Sequence, residues 1–248
     1  MKTLFKYILL SAALLALSFS VQAQTLYGIN LRVSDYKASI RSIEIMCDSI
    51  LLRIDTNGRI NIRSEVRGNI EYYTNFDGEY RQGKLKTLGN VKLDYYDGFA
   101  NDKNTGKLKS IDSITITYCD QFSSSDKNIG KVKSIGNINF TYNETYNGFD
   151  NVGRLSGIGD TKITYYDRFD GGDNIGKLKS IGNTQLAWTD RFDGRQNIGK
   201  LKSLKGDTPN LNIITTERFW LKQCNYYYVI ARNEAIARRK VNLQSRSV

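Results

Sequence analysis

Apolar and polar side chains alternate with a period of two in five short segments. They are Val91-Leu93-Tyr95, Ile114-Ile116-Tyr118, Ile138-Phe140-Tyr142, Thr161-Ile163-Tyr165 and Thr184-Leu186-Trp188, each with polar or charged residues between the named positions. That alternation marks a strand with one buried and one solvated face. Each segment follows a short turn phrase such as Ile-Gly-Asn, and before the turn lies a second, shorter run of the type Leu-Lys-Ser. Gly and Asn tolerate positive φ and so signal a hairpin turn. The unit recurs. Its cleanest form, Gly-Lys-Leu-Lys-Ser-Ile-Gly-Asn, opens at Gly83, Gly106, Gly130, Gly153, Gly176 and Gly199, with spacings of 23, 24, 23, 23 and 23 residues. A fixed period in this range denotes a duplicated supersecondary unit stacked into an array.

Counting from each opening glycine, position +2 is Leu85, Leu108, Val132, Leu155, Leu178 and Leu201, and position +4 is small, from Thr87 to Ser203. A three-residue Ile-Gly-Asn loop with a bulge places +4 opposite +8, +2 opposite +10 and the opening glycine opposite the aromatic at +12. All apolar positions then share one face. A two-residue Gly-Asn loop would set the lysine at +3 opposite the apolar +10, so the three-residue loop is preferred. The glycine is then expected to leave room for the ring at +12, and Lys84 to pair across strands with Asp94. The lysines at +1 and +3 form the polar face, either as ordinary solubilising charge or as a cationic surface.

A second connection follows each long strand. Position +14 is Asp97, Asp120, Asp167 or Asp190, with Glu144 in one copy, and position +16 is Phe99, Phe122, Tyr146, Phe169 or Phe192. An aromatic fixed in every loop either plugs the space between neighbouring hairpins, the preferred reading, or forms a ladder on the surface. In the second case these five rings are the candidate binding residues. The Asp-rich loop invites comparison with calcium sites, but position +17 is Ala100, Ser123 and Asn147 before it becomes Asp170 and Asp193. Asx-turn chemistry accounts for these residues, and no metal or other cofactor is expected.

The expected fold is all-β, an array of antiparallel hairpins in an open, twisted meander sheet, with a parallel β-solenoid as the alternative. Residues 1–23 read as a signal peptide, with Met-Lys-Thr-Leu-Phe-Lys, an apolar run from Tyr7 to Leu17 and Val21-Gln22-Ala23 before Gln24. Residues 24–57 read as lead-in strands and 58–221 as the array. A worn opening stands at Asn57-Gly58-Arg59-Ile60-Asn61-Ile62, and an insertion around Lys205 to Asn210 brings Leu211, Ile213 and Thr215 into a final hairpin. Residues 222–248 form a basic tail, read either as helical or as a non-native extension. The localisation expected from the leader is periplasmic or extracellular, with no transmembrane segment in the mature chain.

Composition narrows the chemistry. The chain has no histidine, which removes the commonest general base and every His-dependent triad. Its three cysteines, Cys47, Cys119 and Cys224, match no metal or redox spacing and permit at most one internal disulfide. Of the formal charge of +11, an excess of five falls beyond Thr216, and two charges belong to Lys2 and Lys6 of the leader. The array itself is nearly balanced, unlike the concentrated cationic face of a nucleic-acid reader, so no nucleic acid partner is expected.

The Gly-Lys opening, second glycine at +6, tyrosine at +12 and later Asp-Gly resemble the membrane occupation and recognition nexus (MORN) repeat. That resemblance implies hairpins joined into an extended sheet, with lipid and scaffold associations, although the Tyr-x-Gly-x-Trp signature is absent here. Uncharacterised exported bacterial proteins with Gly-Lys-Leu-Lys-Ser-Ile-Gly repeats are more similar. The resemblance spans roughly Gly58 to Phe219. The leading functional expectation is a non-catalytic exported module of the cell envelope, using the aromatic loops and the Lys-rich face to hold a glycan or a protein, or serving structure alone. The alternative is a carboxylate-dependent enzyme acting on polysaccharide.

Overall fold

The computed structural model describes residues 24–63, 68–98, 103–122 and 124–215. The leader, Phe99, Cys224 and the basic tail lie outside the described residues. Within them the chain is all-β and forms two sheets.

The first sheet has five strands, β1 (Gln24–Val33), β2 (Ala38–Cys47), β3 (Ile50–Ile54), β4 (Ile60–Arg63) and, from the far end of the chain, β17 (Leu211–Thr215). The second has twelve strands in strict sequence order: β5 (Ile70–Tyr72), β6 (Leu85–Leu88), β7 (Val91–Tyr95), β8 (Leu108–Ile111), β9 (Ile114–Tyr118), β10 (Val132–Ile135), β11 (Ile138–Tyr142), β12 (Leu155–Ile158), β13 (Thr161–Tyr165), β14 (Leu178–Ile181), β15 (Thr184–Trp188) and β16 (Leu201–Lys205). Every pairing within it is antiparallel, as an open meander requires, and it does not close into a barrel. A parallel solenoid is not what forms.

The register differs from the sequence expectation. Leu88 pairs with Val91 and Thr87 with Lys92, so the loop holds two residues, Gly89 and Asn90. Ile135 with Ile138 and Ile181 with Thr184 repeat the arrangement. The first loop residue carries the positive φ that a type II′ turn requires there, from 52° to 62° in Gly89, Gly136, Gly159 and Gly182. Asp112 takes the same place at 46° and accepts a hydrogen bond from the Lys92 N–H. The parity conflict that argued against this loop is resolved inside the short strand. Opposite the preceding long strand, Tyr95 meets Leu108, Asp94 meets Ser110 and Leu93 meets Ile111, which leaves Lys109 as an extra residue. A β-bulge at +3 recurs in all six short strands. It turns +2 and +5 to the same face. Ile111, Ile135, Ile158 and Ile181 at +5 are therefore fully buried beside +8, +10 and +12.

The opening glycine has a different role from the one expected. Ile175 (φ −48°, ψ 131°) followed by Gly176 (φ 79°), closed by the Lys177 N–H donating to the Asn174 carbonyl at 3.0 Å, is a type II turn. Its third residue must take positive φ. All six opening glycines lie between 75° and 85°. No heavy atom lies within 4 Å of a Cβ built on Gly83, so backbone conformation, and not space for a ring, selects glycine.

Residues expected as lead-in strands build the second layer. The inner face of the five-stranded sheet, with Ile29, Leu31, Ile43, Ile45, Leu52 and Ile54, joins Leu93, Ile116, Ile135 and Phe140 of the array in one buried core. Ile60–Arg63, expected to open the array, pairs with β3 instead. Asp55 accepts the Asn57 and Arg59 N–H groups and folds the chain straight back. Leu211–Thr215, expected as a last hairpin strand, crosses over and lies parallel to β1. Its approach is a type II turn with Pro209 second and Asn210 (φ 62°) third, closed by the Leu211 N–H on the Thr208 carbonyl.

Candidate functional site

Because the two-residue turns all lie along one rim of the meander, the long connections all lie along the other. The +16 aromatic sits in each of these connections, and it does not pack. Phe122, Tyr146, Phe169 and Phe192, with Phe76 of the first connection, are between 85% and 94% exposed. Plugging between hairpins is therefore not their role; they form the surface ladder, with Phe99 outside the described residues. Short capped turns hold them there. The Asp167 carboxylate accepts the N–H groups of Phe169 (2.8 Å) and Asp170 (3.3 Å), while Asp170 accepts the Asp167 N–H at 3.2 Å. Asp190 with Asp193 and Thr74 with Asp77 repeat this capping box. The carboxylates of these capped turns thus fix backbone, the Asx chemistry expected from sequence. Among the described residues no group of three His, Cys, Asp or Glu side chains is placed to hold a metal ion.

Successive copies advance by two strands, about 9.6 Å at ordinary strand spacing. Side chains from neighbouring copies lock that advance. Lys107 Nζ donates to the Gly130 carbonyl (2.6 Å), Lys131 Nζ to the Gly153 carbonyl (2.5 Å), Arg154 to that of Gly176 and Lys177 to that of Gly199. The same cations stand over the +12 rings of their own copies, Lys107 at 4.7 Å from the Tyr118 centroid, Lys131 at 4.9 Å from Tyr142 and Lys177 at 4.3 Å from Trp188. Burial holds the ammonium pKa values of Lys107, Lys131 and Lys177 below the usual lysine range. The +1 cations are staples between copies, and Lys84 likewise stands over Tyr95 at 5.5 Å, while Asp94 pairs with Arg81 and Lys109. The rings are anchored in turn: Tyr118, Tyr142 and Tyr165 hydroxyls and the Trp188 indole N–H donate to the +2 carbonyl of their own copy at 2.8 to 3.0 Å. Burial raises the Tyr165 hydroxyl to about 12.

Charge on the outer face is largely matched. Three of the five +3 lysines meet the +17 carboxylate of the preceding connection: Lys86 with Asp77 (3.3 Å), Lys202 with Asp193 (2.5 Å), and Lys179 with Asp170. Arg168 grips Asp150 in a bidentate pair (2.9 and 3.0 Å), and Arg191 grips Asp173 in the same way. The arginine hydrogen bonds hold both carboxylates below the usual range.

One place on this face is open. A groove of about 670 Å³ lies over β11, β12 and β13, with Phe149 and Phe169 among its lining residues. Sequence reasoning missed Phe149, which is 76% exposed, and missed the groove. The signal was present in the departures of one copy from the repeat phrase. Cys47 and Cys119 are buried and free, and burial pushes the Cys47 thiol to about 12, far from reactive thiolate behaviour.

No protein-family model, no curated protein and no solved structure matches this chain.

Proposed function

We propose that the protein is an exported, non-catalytic binding module that holds an extended, neutral polysaccharide of the cell envelope along its aromatic rim. The observation that carries this reading is the row of described +16 rings, exposed by 85% or more, with Phe76, Phe169 and Phe192 set on capped turns. Exposing that much apolar surface at a fixed period costs solvation and contributes nothing to the core. The advance of about 9.6 Å per copy suits an extended polymer whose repeat is two sugar units. Flat rings suit the CH faces of sugars, and the hydroxyls, amides and paired charges beside them suit sugar hydroxyls. Matching of the +3 lysines with carboxylates favours a neutral glycan over an acidic one. Export rests on the leader pattern of the sequence. The recurring carboxylates have structural partners, which favours binding over hydrolysis.

The test is the double substitution Phe169→Ala and Phe192→Ala, assayed by co-sedimentation with an insoluble envelope polysaccharide fraction. Roughly tenfold or greater weakening is expected, about 0.7 kcal/mol or more per ring. Stability should stay within about 0.5 kcal/mol because both rings are solvent-exposed. Unchanged sedimentation would refute the rim as the binding surface.

A further inference from the structure

The copy opened by Gly153 departs from the other five in a coordinated way. Its +3 residue is Ser156 where they have lysine and its +4 residue is Gly157 where they have Thr or Ser, and the +17 residue of the preceding connection is Asn147, one of three copies in which that place holds no acid. The side chain that spans the outer face in the Lys86, Lys179 and Lys202 copies is thereby absent here. The +4 hydroxyl that elsewhere bonds the preceding +11 threonine, as Ser134 does Thr117 and Ser180 does Thr164, is replaced by bare backbone. A Cβ on Gly157 would come within 2.6 Å of Thr141 Oγ1, and Ser156 instead donates to that oxygen at 3.1 Å.

The groove of about 670 Å³ occupies the space so cleared, within the size range of small-ligand sites. Phe149 contributes a ring found at this loop position in no other copy; the equivalent residues include Gly172 and Arg195. Phe169 belongs both to this groove and to the ring row. Thr141, Ser156 and Thr164 also line it, together with the paired Arg168 and Asp150. Asp160 and Asp167 add carboxylates that an anionic ligand would oppose, and Lys162 offsets one of them.

We infer that this groove is the principal seat for a short stretch of neutral saccharide, with the ring row extending the grip along the polymer. The inference rests on the glycan reading of the rim. The two rings suit a sugar's CH face and the lining hydroxyls suit its equatorial hydroxyls, and the single excess negative charge of the lining disfavours an anionic ligand. The other five copies, with lysine across the face, offer ring contacts alone.

The test uses the full chain against an array of neutral hexasaccharides, with uronic-acid and sulfated hexasaccharides as the contrasting arm. The double substitution Ser156→Lys with Gly157→Ser restores the repeat's own residues and should fill the groove. Binding of neutral hexasaccharides is expected to weaken at least tenfold. A second variant, Phe149→Ala, removes an exposed ring without touching the core and should weaken binding three- to tenfold. Wild-type affinity in both variants, alongside weakening in the Phe169→Ala, Phe192→Ala protein, would overturn the groove and leave the rim standing. Tighter binding of the anionic arm would overturn the neutral class. Failure of wild type to bind any hexasaccharide or envelope polysaccharide would remove the rim reading and the groove with it.

Discussion

Replacing Ile135 with alanine is expected to cost about 2 to 5 kcal/mol of folding stability, measured by chemical denaturation. Ile135 is fully buried at the last position of β10, paired with Ile138 across the two-residue turn. Deleting most of a buried isoleucine removes its transfer free energy and leaves a cavity that a close-packed sheet interface fills only in part. The figure separates two registers. Were the Ile-Gly-Asn phrase a three-residue loop, the same residue would sit at a turn tip and its truncation would cost under about 0.5 kcal/mol. A small loss would therefore contradict the bulge at Lys133 as well as the turn.

Gly206→Ala is the second large effect. This glycine directs the chain out of β16 towards β17 in the other sheet, at φ 90°, and an added Cβ would lie 2.0 Å from the Asn183 carbonyl oxygen. Both partners are backbone, so no rotamer change relieves the clash. The left-handed conformation alone costs about 1 to 3 kcal/mol, and the displacement of two strands adds to it. The displaced segment carries Thr208, whose buried hydroxyl bonds the Thr184 N–H (2.9 Å), the Thr184 hydroxyl (2.9 Å) and the Ile181 carbonyl (2.5 Å). A loss of about 3 kcal/mol or more is expected. Thermal unfolding followed by circular dichroism would show it as a large fall in melting temperature, and an unchanged transition would mean that the crossover adds no stability.

The repeat phrase made much of this architecture legible. The period, the inward +8, +10 and +12 positions and the hairpins follow from alternation and turn residues alone. The apolar residue at +5 was equally visible in all six copies. Alternation alone places it in a loop, because a strand of strict period two cannot bury both +2 and +5, and a bulge is a departure from that period. The lysine at +1 was misplaced because its partner carbonyl lies 22 or 23 residues away, a distance within the array that no hairpin register contains. Ile60–Ile62 and Leu211–Ile213 alternate just as the array strands do, and local alternation does not say which of two sheets will take a strand. At the rim, sequence located the rings but not their exposure. The Asp-x-Phe-Asp chemistry that caps the turns is what keeps them out of the core. The groove was written as two small substitutions in one copy, Ser156 at +3 and Gly157 at +4, whose meaning depends on knowing that the +3 lysine spans the outer face.

The most direct measurement is a calorimetric titration of the full chain with neutral oligosaccharides of increasing length, from a disaccharide upward. A rim that presents rings at a fixed advance should bind longer chains progressively more tightly, in steps of about two sugar units, until the oligosaccharide spans the ring row. Affinity that is independent of length, or absent at every length, would contradict the polymer-binding rim.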